Sequence, residues 1–397
     1  MKILSVCSNF RVFGAETITL KMLEGFKQRG HQQLAVTSIW SADGEFSRRL
    51  AVLGIPELQL PLGTITKRVA PRQMWWMANT LAGLPFAWLK WARLLRRFQP
   101  DVLVFTSSRL CLLLYPWLDR CPSFLIEYTN IQASRSNWHL YRMLSHKLTK
   151  FVAVSDFMRA HLQQCGAPPE KIAVVKSGAF SEGQRHIEAN HPTALVLENG
   201  QIPRLGIVGQ VAPDKGHDCF IEAVGILKER GIEVKVHVFG TGIRDYVSTL
   251  KEKIHKKGLA GQWQWMGYER DKAKIFRAID ICVVPSCFGD PFPTVAMEAG
   301  VYGLPVVARR AGGLPEIVQD GVTGWLVEPN TPKQLAERIA WLIREPSRAR
   351  EMGFAGSKRV LECFTVEKMV TEFESLFRVH GSLASSTSES YEETAAE

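Results

Sequence analysis

The chain has 397 residues, of which 46% are hydrophobic and 22% charged, so most of it should fold, with length for two domains that each carry a core. Its eight cysteines are scattered without a CxxC pair, which excludes a disulfide framework and a cysteine zinc site and suits reduced thiols in a cytoplasmic enzyme. The net charge of +10 sits entirely in the first half: residues 1–198 hold 24 Lys+Arg against 13 Asp+Glu, and residues 199–397 hold 25 against 26. The opening MKILSVCSNF has neither a long apolar run nor a small-residue cleavage site, so no secretory signal is expected there.

KILSVCS reads as a first strand. AETITLKMLEGFKQRGH follows as a helix, with Leu20, Leu23 and Phe26 on one face and Gly30 as its stop. LAVTSI, DVLVFTS, SFLIEYT and KFVAVS are further strands with helical segments between them, a strand–helix alternation that predicts a parallel, doubly wound α/β domain over residues 1–190. Residues 191–203, rich in Pro, Asn and Gly, read as a linker. The alternation then restarts and predicts a second α/β domain over 204–380. Its strands are RLGIVGQV, VKVHVFG, QWQWMGY, ICVVPS and PVVAR. The last helix is expected to cross back to the first domain. Residues 381–397 are polar, acidic and almost without core residues, so they are expected to be a disordered tail.

Ligands of open α/β sheets sit beyond the carboxyl ends of the strands, where helices begin. Three such loops carry candidate chemistry. In SNFRVFGAE, residues 8–16, Gly14 allows close backbone approach to an anion at a helix start; the other reading is a tight turn. In GQVAPDKGHD, residues 209–218, Lys215 is either a point charge for phosphate or a solvated loop lysine. In CFGDPFPTVAMEAG, a helix is expected from near Thr294, with Pro293 in its first turn and the amides of Thr294 and Val295 open to phosphate oxygens. Glu298 lies about one turn further in, roughly 5–6 Å along the axis. It can accept hydroxyl hydrogen bonds from a ribose, and Asp290 can accept those of a hexose. The spacing suits a diol, phosphates and a polyol in series, which is a nucleotide sugar. The alternative makes Glu298 helix surface and Asp290 a turn residue.

Taken together, FGAETITLKMLEGFKQRGH, GQVAPDKGHDCFIEA, VFGTGIRDYVSTL, MGYERDKAKIFRAIDICVVPS and DPFPTVAMEAGVYGLPVVARRAGGLPEIVQDGVTGWLVEP resemble the retaining glycosyltransferases of the GT4 type, the group 1 glycosyl transferases. The resemblance runs to about residue 375. It implies the GT-B fold: two Rossmann-like doubly wound domains facing across a cleft. It also implies that Glu298 holds the donor ribose, Lys215 the diphosphate and Asp290 the donor sugar. Gly14 would lie near the diphosphate, and Gly267 and Tyr268 near the base. Gln210, Phe292, Thr294 and Val295 complete the donor set. No cofactor or metal is implied beyond the nucleotide-diphosphate sugar, and the sequence has no DxD.

Several positions depart from the family pattern. Asp290 stands where Glu is usual, Pro291 and Pro293 where glycines are common, and Gln210 where an arginine often assists the lysine. Arg309 or Arg310 is the candidate replacement for that charge. The family histidine after SFLIEYTN is absent, and Glu127 or Asn130 occupies the acceptor side. The implied reaction is glycosyl transfer with retention to a glycan or lipid-linked acceptor in polysaccharide or cell-envelope synthesis. The alternatives are a sugar-nucleotide epimerase of the same fold and a membrane-surface module with a decayed donor site.

Residues 67–100 hold seven Lys+Arg, no acid, and Trp75, Trp76, Trp88 and Trp91. Trp88, Trp91 and Leu95 share one helical face, and Lys90, Arg93 and Arg97 another. This composition fits an interfacial helix on an anionic membrane surface, through residues 67–98, with the indoles at the boundary. It fits equally a sheet-covering helix with a solvated basic face. Asn79 and Pro85 interrupt it too much for a span, and no nucleic-acid motif accompanies it.

Overall fold

The computed structural model describes residues 1–8, 12–40, 44–63, 71–181 and 201–393, without the side chains of 71–73 and 382–393. The expected linker lies outside them up to residue 200. The chain forms two compact units, Met1–Gly178 with Val366–Glu397, and Ala179–Thr365.

In the first unit the strands are β1 (Lys2–Val6), β2 (Gln32–Ser38), β3 (Glu57–Leu60), β4 (Val102–Phe105), β5 (Ser123–Glu127), β6 (Lys150–Ala153) and β7 (Ile172–Val174). They pair in the order β3-β2-β1-β4-β5-β6-β7, every pair parallel. The central β4 and β5 are buried along their whole length, as strands covered on both faces must be. The helices are α1 (Gly14–Gln28), α2 (Glu45–Val52), α3 (Pro71–Phe98), α4 (Ser108–Leu113), α5 (Arg135–Ser145) and α6 (Asp156–Gln164).

The second unit repeats the plan. Its strands are β8 (Arg204–Val208), β9 (Lys235–Phe239), β10 (Trp263–Gly267), β11 (Ile281–Val284), β12 (Val306–Arg309) and β13 (Gly324–Val327), in the order β10-β9-β8-β11-β12-β13. Strand order reverses between β8 and β11, so the ligand position for such a sheet lies beyond the ends of those two strands. The helices are α7 (His217–Glu229), α8 (Arg244–Lys256), α9 (Lys272–Arg277), α10 (Thr294–Val301), α11 (Leu314–Ile317), α12 (Pro332–Arg344) and α13 (Pro346–Cys363).

The last helix, α14 (Val366–Glu393), belongs to the first unit. Phe373 and Phe377 pack on Phe26 of α1, and Phe377 also meets Phe124 of β5. Glu374 receives Arg29 at 2.9 Å and His31 at 2.6 Å. The helix continues past Gly381 to Glu393, across most of the segment expected to be a disordered tail. No proline interrupts it, and adding residues to a formed helix needs no new nucleation. Residues 394–397 lie outside the described set.

Helix α3 turns the face with Trp88 and Trp91 inward, the second of its two expected orientations. It runs unbroken through Pro85, which removes one i→i−4 hydrogen bond, the one to Leu81. Trp91 is fully buried and Trp88 donates its indole N–H to Leu113 O at 2.8 Å. The face with Trp88 and Trp91 therefore packs inward, with Trp88 against the end of α4, and is not the outward face. The outward stripe carries Met74, Trp75, Leu81, Phe86 and Leu89, each about half exposed, and then Arg93, Arg96 and Arg97. A helical wheel separates two faces; here the larger, flatter one went inward. Residues 67–70 lie outside the described set. No helix among the described residues is long and apolar enough to cross a membrane.

Candidate donor site in the second unit

Beyond β8 the chain turns through Gly209 and exposed Gln210 into a short 3-10 turn, Pro213–Lys215, that delivers Lys215 to the start of α7. Gly216 caps that helix at φ 76°, with no side-chain cap. Only glycine fits there: a Cβ would lie 1.7 Å from Pro285 O, the first carbonyl beyond β11. Cys287 N–H donates to Asp214 O at 2.6 Å. The β8 and β11 loops are thus packed against each other at the point where strand order reverses.

The β11 loop runs to Asp290 and on to α10. Thr294 is the first helical residue, and Pro293 is the N-cap, one position earlier than expected. No side chain caps α10, and the N–H groups of Thr294 and Val295 stand outside its internal ladder. The loop is held by the glycine pair after β12. Gly313 N–H donates to Asp290 O at 2.9 Å, and a Cβ on Gly312, at φ 58°, would lie 2.2 Å from the same oxygen.

Lys215 Nζ donates to both carboxylate oxygens of Asp290, at 2.9 and 2.7 Å, and lies 3.7 Å from Asp214. Glu298, mostly covered on α10, accepts from Lys272 Nζ at 2.8 Å. Two ammonium groups thus face three carboxylates: Asp214, Asp290 and Glu298. The sequence brought neither pair to notice, because the partners are 75 and 26 residues apart and ion-pair partners leave no periodic signal.

The remaining donor candidates divide. Gly267 ends β10 with its carbonyl accepting from Gly240 N–H at 2.7 Å, and Tyr268 beside it is exposed. Phe292 is buried edge-on against Phe364, so it supports the loop from behind. Arg310 is engaged by Asp320 at 2.5 Å and Glu328 at 3.1 Å. Arg309 is 1% exposed, donating to Asn330 Oδ1 at 3.0 Å and Pro285 O at 3.4 Å. His217 is buried in the first turn of α7; burial pushes its pKa down to about 4, against the raising effect of the Ala212 backbone, so it is neutral.

In the first unit, Gly14 is the first residue of α1, with open space where a Cβ would stand. Residues 9–11 of its loop lie outside the described set. Glu127 ends β5 and is 2% exposed; Tyr141 O–H donates to it at 2.7 Å. Burial pushes its carboxyl up to about 7, against the lowering effect of hydrogen bonds from Tyr141 and Ser108 and the charge of Arg109. Asn130 is exposed. No group of three or more His, Cys, Asp or Glu among the described residues is placed to hold a metal ion.

Known proteins match both halves. Residues 12–179 match the family profile described as Glycosyltransferase Family 4, and residues 196–359 the profile described as Glycosyl transferases group 1. The D-inositol 3-phosphate glycosyltransferase of Segniliparus rotundus is 32% identical over 219 residues, 52% of this chain and 47% of that protein. WcaL of Salmonella typhimurium, named for colanic acid biosynthesis, is 30% identical over 212 residues, 51% of this chain and 50% of that protein. The chain spans about half the length of these curated relatives. The crystal structure of Anabaena HepE in complex with UDP superposes with a TM-score of 0.77 at 20% identity, over 96% of this chain and 100% of that one.

Proposed function

Because the chain belongs to the GT4-type glycosyltransferases and has their GT-B fold, we propose that it moves a sugar from a nucleotide-diphosphate donor to a glycan or lipid-linked acceptor, with retention and without a metal. The observation that carries this reading is the second unit's loop-end cluster. Lys215 stands at the uncapped start of α7, paired with Asp290, and Glu298 lies one turn inside the uncapped α10. A diphosphate finds there an ammonium and helix amides, both fixed before reaction.

In this reading Lys215 and the amides of Thr294 and Val295 take the diphosphate, Glu298 the ribose hydroxyls and Asp290 the hydroxyls of the transferred sugar. Gly267 and Tyr268 flank the base. The bond between the anomeric carbon and the diphosphate oxygen breaks with its electron pair leaving on oxygen, where Lys215 stabilises the new charge. The acceptor hydroxyl attacks the same face of the sugar and its proton passes to that phosphate oxygen. The UDP complex of HepE makes UDP the first nucleotide to test.

Helix α3 supports a cytoplasmic protein that works at an anionic membrane surface. Its outward stripe puts Met74, Trp75, Leu81, Phe86 and Leu89 beside Lys90, Arg93, Arg96 and Arg97, and the helix holds no acid. Such a stripe suits the boundary between headgroups and acyl chains, where a lipid-linked acceptor would present itself. A thermal-shift screen against UDP-, GDP- and ADP-sugars tests the donor reading. One nucleotide class should raise the melting temperature in a saturable way, and no response to any of them contradicts it.

A further inference from the structure

We propose that Arg309 supplies the second positive charge for the donor diphosphate, from beneath the Lys215 loop, in place of a cation at position 210. The proposal rests on the donor reading above and adds a positioning residue to it.

Arg309 ends β12 with its guanidinium buried, and its Nε has no hydrogen-bond partner. Nη2 donates to Asn330 Oδ1 and Nη1 to Pro285 O. Among the described residues no carboxylate lies within 4 Å of it, whereas Arg310 next to it is held by two. A buried charge facing only neutral dipoles is costly. A fold that kept Arg309 only to tie loops together could use a neutral donor. The cost is recovered when an anion binds close by.

The position of Arg309 fits that account. Pro285 O is both its acceptor and the atom on which Gly216 packs, so the guanidinium lies directly behind the Lys215–Gly216 turn. Cys219, in the first turn of α7, feels its charge. Arg309 thus adds to the positive end of the α7 dipole instead of opposing it. Lys215 and Lys272 alone do not offset Asp214, Asp290 and Glu298, and a diphosphate brings further negative charge to the same place. Gln210, exposed and neutral, adds nothing. Among the described residues, Arg309 is a cation behind the Lys215 turn that forms no ion pair with a carboxylate.

The test separates charge from architecture. UDP and uridine are titrated calorimetrically into wild type, Arg309→Gln, Arg309→Lys, and Gln210→Arg alone and with Arg309→Gln. Gln retains a donor for Pro285 O and loses the charge; Lys retains the charge. The account expects Arg309→Gln to weaken UDP about tenfold with uridine unchanged within about twofold, Arg309→Lys to stay near wild type, and Gln210→Arg to restore most of the loss. Equal losses for UDP and uridine, or no loss, overturn it. The Gln210→Arg variant alone decides the matter if Arg309→Gln does not fold: a gain below about threefold fits a second cation already in place, and any larger gain overturns it. A wild type that binds uridine diphosphate and guanosine diphosphate not at all overturns the donor reading itself.

Discussion

Glu127→Gln should change the pH dependence of the first unit's stability. The carboxyl ends β5 with 2% exposure, and burial raises its pKa from 4.5 to about 7. In that window the folded state holds a proton that the unfolded chain releases, so the stability this group contributes is complete below about 4.5 and falls as pH rises through 7. At 1.36 kcal/mol per pKa unit, the loss between pH 5 and pH 8 is about 2.5 kcal/mol. Gln cannot ionise, yet its amide oxygen still accepts from Tyr141 O–H. Urea unfolding of both proteins at pH 5 and pH 8, followed through the transition of the first unit, measures the effect. The substitution should become more favourable by about 2.5 kcal/mol between the two pH values. A difference between wild type and variant that is the same at both, within about 0.5 kcal/mol, refutes the reasoning.

Gly216→Ala should cost the second unit at least about 2 kcal/mol, since left-handed backbone and a contact with Pro285 O add together; thermal unfolding without ligand reads it, and a wild-type melting curve contradicts it. Glu374→Ala should cost the first unit roughly 1–3 kcal/mol by removing the carboxylate that Arg29 Nη1 and His31 Nε2 share. Burial raises the Glu374 carboxyl, but His31 and Arg29 outweigh it and hold the pKa below its ordinary value. This stabilisation is therefore present above the ordinary carboxylate pKa and lost on acidification, and a penalty at pH 7 no larger than at pH 3 argues against the clamp. Replacing Trp75, Phe86 and Leu89 together by Ser should abolish flotation with vesicles containing anionic lipid while leaving the melting temperature within about 2 °C, because all three are exposed. Undiminished flotation removes α3 from the membrane reading.

The alternation of apolar strands and amphipathic helices was readable along most of the chain because both sheets are parallel and covered on both faces. The strands that escaped notice, β3, β7 and β13, have three or four residues each and lie at sheet edges, where pairing on one side leaves little compositional mark. In the candidate donor site, strand ends and helix starts pointed to Lys215, Thr294 and Glu298. The pairings that hold them, Asp290 with Lys215 and Lys272 with Glu298, join remote segments and needed three dimensions. The inward turn of Trp91, the burial of Phe292 behind its loop and the burial of Glu127 under Tyr141 share one cause: a sequence period shows that a face exists without showing which neighbour covers it.

The most direct test of the donor reading is a calorimetric titration of UDP into wild type, Lys215→Ala and Glu298→Ala. Saturable binding by wild type and affinities at least about thirtyfold weaker in both variants, with unchanged unfolding curves, are the expected result. Equal affinity in all three proteins would show that the nucleotide does not use the start of α7 and the first turn of α10.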